Sequence, residues 1–124
     1  MDRDTNLFVQ AFWVKCREAV RPELDRLIDV LRADGHTANV STQEYADVAD
    51  ALPDTGPMIT LHVHPRGSHQ DRTLQFRGDT ATRSVEVLPS GGEPRRYELA
   101  ALDDDAVKRD IDDWLAALLA QHSR

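Results

Sequence analysis

Ile59, Leu61 and Val63 alternate with Thr60, His62 and His64, and the same period-two pattern returns in Leu74-Gln75-Phe76-Arg77 and Val85-Glu86-Val87. Side chains two apart on a strand share a face, so each run predicts a strand with one face in a core and the other in water. The connections Pro65-Arg66-Gly67-Ser68, Gly78-Asp79-Thr80-Ala81 and Ser90-Gly91-Gly92-Glu93-Pro94 are short and rich in turn formers. They predict antiparallel pairing. Strands are expected at 58–64, 72–78, 83–88 and 95–99, preceded by one over 36–42 with Ala38 and Val40 on a common face.

The flanking segments carry a helical period instead. Asp4 or Thr5 caps a first helix that runs to Ala33 and stops at Asp34-Gly35, where glycine takes the left-handed position beyond the last turn. Pro22 interrupts it: either the helix kinks there, as expected from the helical spacing that Val20, Leu24, Leu27, Ile28 and Leu31 keep across the proline, or it is two helices with Pro22 in the first turn of the second. Ser41-Thr42-Gln43-Glu44 has the form of a capping box and, with Tyr45, Val48, Ala49 and Leu52, predicts a short middle helix at a sheet edge. In the last helix Asp103 is the cap, Asp104 and Asp105 suit the first turn, and Val107, Ile111, Trp114, Leu115 and Leu118 form one stripe. The expected architecture over residues 1–124 is a single α+β domain. An antiparallel sheet of four to five strands has the long N-terminal helix and the C-terminal helix packed on one face.

The first helix is apolar over half its circumference. If continuous it is about 40 Å long at 1.5 Å per residue, whereas five strands spaced ~4.8 Å apart span only about 20–25 Å. Unless the helix folds at Pro22 so that both halves pack on one copy of the chain, an overhang is expected to carry Leu7, Phe8, Phe12 and Trp13 into water, and Phe8, Phe12 and Trp13 are the predicted interface of a homodimer or of a complex with another protein.

Charge narrows the remaining classes. The net charge is −7, concentrated in the helical segments, while the sheet region is near neutral. Such a chain repels phosphate backbones, so no nucleic-acid partner is expected. No apolar run approaches the ~20 residues of a membrane span, and Met1-Asp2-Arg3-Asp4 lacks the basic-then-apolar plan of a signal peptide, so a cytoplasmic location without membrane contact is expected. The single cysteine, Cys16, lies in register with Phe8, Phe12 and Val20 and reads as a small buried hydrophobe.

Candidate chemistry lies on the wet face of the sheet. His62 and His64 are two apart on a strand and point to one side, and His69 follows in the next turn beside Asp71; these three histidines are the candidate metal ligands. Thr60, His62, Gln75, Arg77 and Glu86 form a mixed surface that suits a small ligand, with Arg77 and Glu86 placed to pair across strands. No nucleophile elbow, phosphate loop, dinucleotide fingerprint, Cys-x-x-Cys or His-Glu-x-x-His occurs, so no catalytic residue and no cofactor is assigned. The triplet Arg77-Gly78-Asp79 is a strand entering a turn. The pattern as a whole points to a non-enzymatic interaction module that forms homodimers, with ligand or metal binding around His62 and His64 as the alternative.

Overall fold

Strands β1 (Thr37–Gln43), β2 (Met58–His64), β3 (Arg72–Asp79), β4 (Ser84–Pro89) and β5 (Arg95–Glu98) pair in chain order as one antiparallel meander. The computed structural model describes residues 3–43, 56–68 and 70–122. The pairing register places Val40 beside Leu61 and Leu61 beside Leu74; in the next row Ile59 meets Phe76, and Phe76 meets Val87. One sheet face is thereby apolar from β1 to β4. Helices α1 (Arg3–Lys15), α2 (Arg21–Ala33) and α3 (Asp104–His122) all contribute to the cluster buried on that face. The expected α+β layering, with both helical segments on one side of the sheet, is what the chain adopts.

Pro22 is accommodated by a π turn. The Cys16–Val20 segment has the wider hydrogen-bond ring, and the Arg21 N–H reaches back five residues to the Cys16 carbonyl. In an uninterrupted α-helix the proline ring would strike the carbonyl four residues earlier. Placing the wide turn immediately before it lets α1 run on into α2. At the far end Gly35 takes a φ of +90° while the His36 N–H bonds the Leu31 carbonyl at 3.0 Å, which closes the helix as expected. Asp103 caps α3 through the Ala106 N–H at 2.9 Å. Ser41, Thr42 and Gln43 belong to β1 rather than to a helix start, because their backbone groups are already committed to pairing with β2. The rest of the predicted middle helix lies outside the described residues.

The expected overhang is overturned. Phe8 and Phe12 are buried within one copy of the chain, Phe12 at 1% exposure. A Cβ added to Gly78 on β3 would lie 3.2 Å from both rings, so the two phenylalanines sit directly over that glycine. The first helical segment crosses the sheet obliquely: Asp4 meets Arg83 near the β3–β4 turn at 3.4 Å, and Arg32 bonds the Ala38 carbonyl on β1 at 2.8 Å. The eight residues of β3 at ~3.3 Å each make the sheet about 26 Å long, so a helix laid obliquely has a diagonal of about 35 Å beneath it, enough to cover most of its length. Trp13 is half-buried, its ring T-shaped against that of Phe12 with centroids 5.1 Å apart, and among the described residues its buried indole N–H has no acceptor.

Cys16 is buried beneath the π turn, and burial pushes its thiol up to about 12. A thiol held neutral and out of solvent reacts only when the helix opens. Native protein is therefore expected to label with an aromatic disulfide reagent only at the unfolding rate, and immediately in denaturant. Fast labelling of native protein would contradict this burial.

Candidate functional site

Three places on the molecule gather side chains suited to binding: the wet sheet face, a cavity under the β4–β5 hairpin, and the outer side of α1. On the wet face each histidine is engaged with a different neighbour. His62 Nε2 lies 2.8 Å from Ser41 Oγ on β1, and His64 Nδ1 lies 2.6 Å from Asp71 Oδ1 beyond the β2–β3 turn. Among the described residues no group of three or more His, Cys, Asp or Glu is placed to hold a metal ion. His69 itself lies outside them. The Ser41–His62 pair resembles the start of a nucleophilic site, but such a site needs a third group orienting the imidazole. Among the described residues none is bonded to His62 Nδ1.

The charges of this face neutralise one another. Arg77 faces Glu86 in register at 3.1 Å, and Arg96 adds a second bond to Glu86 at 2.7 Å. The other guanidinium nitrogen of Arg96 reaches Thr82 at 2.7 Å, Ser84 at 2.8 Å and Asp79 at 3.3 Å. Burial alone would raise the Asp79 pKa, but the Thr82 and Ala81 N–H groups, with Arg96, hold the carboxyl below its ordinary value. Thr60, expected to be accessible, is only 3% exposed between Ser41 and Gln75, because it lies on a central strand with both neighbours in register. Gln75, half-buried, remains at the surface, but the arginines and acids around it are committed to one another.

The cavity, about 280 Å³, opens between the inner edge of the sheet and α3. Leu74, Val87, Trp114 and Leu118 supply its apolar wall, and Arg72 and Arg95 line it from the strands. Asp110 is buried at its base, bonded by Arg95 Nη1 and by the Tyr97 hydroxyl at 2.7 Å. Arg95 also lies 3.6 Å from Asp113. Asp110 is not among the residues that the sequence pattern singled out. The available signal was position: Asp110 stands three residues after Val107 and four before Trp114, inside the apolar stripe.

The outer side of α1 carries the apolar surface that Phe8 and Phe12 do not. Leu7 is 52% exposed and Val14 40% exposed, seven residues apart and therefore on one side of the helix. Ala11 is exposed between them, with Arg3 at one end and Glu18 at the other. Comparison with protein-family models, with curated proteins and with solved structures returns no match of any of the three kinds.

Proposed function

We propose that this chain is a non-enzymatic, cytoplasmic interaction module that pairs with a second copy of itself through the outer side of α1. One observation carries the reading: the exposed stripe is complementary to itself when reversed. Taken about the midpoint between Gln10 and Ala11, Leu7 is the image of Val14 and Arg3 is the image of Glu18. A two-fold axis through that point sets two α1 helices antiparallel, lays each Leu7 against the partner's Val14, and brings each Arg3 to the partner's Glu18. That is the isologous geometry of the commonest homodimers. The buried, lone thiol of Cys16 suits a reducing compartment. Among the described residues no helix is long and apolar enough to cross a membrane.

The surface is small, and two chains of charge −7 repel. The pairing is accordingly weak, with a Kd on the order of 100 μM, or about −5.5 kcal/mol. Sedimentation equilibrium at physiological salt is expected to show a monomer–dimer equilibrium that Val14→Glu abolishes without loss of folding. Val30→Glu, at an equally exposed valine of α2, leaves it intact. A wild-type chain that stays monomeric at millimolar concentration would overturn the proposal, as would equal sensitivity to both substitutions.

A further inference from the structure

From the cavity beneath the β4–β5 hairpin we infer a second site, independent of self-association, that binds a small apolar monocarboxylate: one aromatic ring or a short acyl chain bearing a single negative charge. The volume of about 280 Å³ equals that of about nine waters at ~30 Å³ each, room for a molecule of that size. The wall of Leu74, Val87, Trp114 and Leu118 offers an apolar, partly aromatic surface to its body.

The polar groups select the head. Asp110 is already satisfied by Arg95 and the Tyr97 hydroxyl, and Arg95 is further held by Asp113. Those two acids therefore consume the second arginine of the cavity. Arg72 is different. It lies on the inward row of β3 two residues before Leu74, half-buried, and donates to the neutral Gln70 amide at 3.0 Å. Among the described residues no carboxylate lies within ion-pair distance of it, although Glu93 belongs to the cavity rim. A guanidinium presents a planar fork that matches a carboxylate with two parallel hydrogen bonds. One guanidinium without an acid partner among the described residues, beside an apolar wall, fits one carboxylate. The surrounding acids disfavour a dianion, and the placement of Arg72 disfavours a cation.

The test titrates benzoate, benzyl alcohol and benzylamine into the ¹⁵N-labelled full chain, reading the Trp114 indole N–H. Benzoate is expected to shift that resonance saturably and to bind roughly tenfold more tightly than benzyl alcohol, the increment of one charge-assisted contact. Arg72→Gln removes the tenfold advantage and leaves benzyl alcohol unchanged, while Ala117→Trp, filling the cavity from an exposed position of α3, removes both. Preference for benzylamine, shifts that avoid Trp114, or benzoate binding indifferent to both substitutions would overturn the inference.

Discussion

Phe12→Ala is expected to destabilise the protein by about 3–5 kcal/mol, the cost of deleting a fully buried aromatic ring and leaving a cavity. For a chain of this size that is a fall in Tm of about 10–20 °C. Phe12 is 1% exposed and lies over Gly78, and its ring forms a T-shaped pair with Trp13. Removing it strips contacts from the sheet and from α1 at once. Leu7→Ala, five residues earlier on the opposite side of the helix, is expected to change stability by less than about 0.5 kcal/mol. Urea unfolding of the two variants in parallel checks the assignment of inner and outer sides. Equal losses would mean that α1 is rotated from the position described.

Gly56→Ala is expected to cost about 3 kcal/mol or more, above the usual range for overpacking because the obstacle is backbone. A Cβ at Gly56 would lie 2.2 Å from the Gly78 carbonyl oxygen. The two segments are locked at that separation by the Gly78 N–H, which donates to the Pro57 carbonyl at 2.7 Å. The barrier is space rather than backbone conformation. Gly78→Ala meets Pro57 Cγ at 2.9 Å and the two phenylalanine rings at 3.2 Å, side chains that yield more readily, and is expected to cost less. Hydrogen exchange at the Gly78 amide reports the same event locally: its protection is lost in Gly56→Ala. Retained protection with unchanged stability would show that the Gly56–Gly78 approach is not a fixed feature of the fold.

The sheet was legible because period-two alternation is a local signal, and each of Leu61, Phe76 and Val87 announces its own face. The stop at Gly35 and the cap at Asp103 were legible for the same reason. The fate of Phe8 and Phe12 was not, because it depends on the angle at which a helix crosses a sheet. That angle is set by distant partners, Gly78 beneath the rings and Arg83 and Ala38 at the two ends. The π turn was also hidden. Pro22 signals a problem in the helix, but nothing in the neighbouring residues states whether a bend, a break or a wide turn resolves it.

The candidate sites divide along the same line. The Arg77–Glu86 pair follows from strand register and was readable. The commitment of Arg96 to four partners, which ties up that face, depends on the β3–β4 turn folding back over β5. The cavity needed Arg72, Arg95 and Asp110 brought together from three elements. The exposure of Leu7 was expected from the sequence, but which neighbours share it depends on the crossing angle of the helix, which leaves Val14 outside with Leu7 and turns Phe8 and Phe12 inward.

The claim that this stripe recognises its own copy is tested most directly by charge exchange across the proposed two-fold axis, measured as the dimer dissociation constant by sedimentation equilibrium. Arg3→Glu and Glu18→Arg singly place like charges opposite each other, and each is expected to weaken the dimer several-fold. The double variant restores opposite charges at both contacts and is expected to return the constant to near the wild-type value. Additive weakening in the double variant would contradict the account.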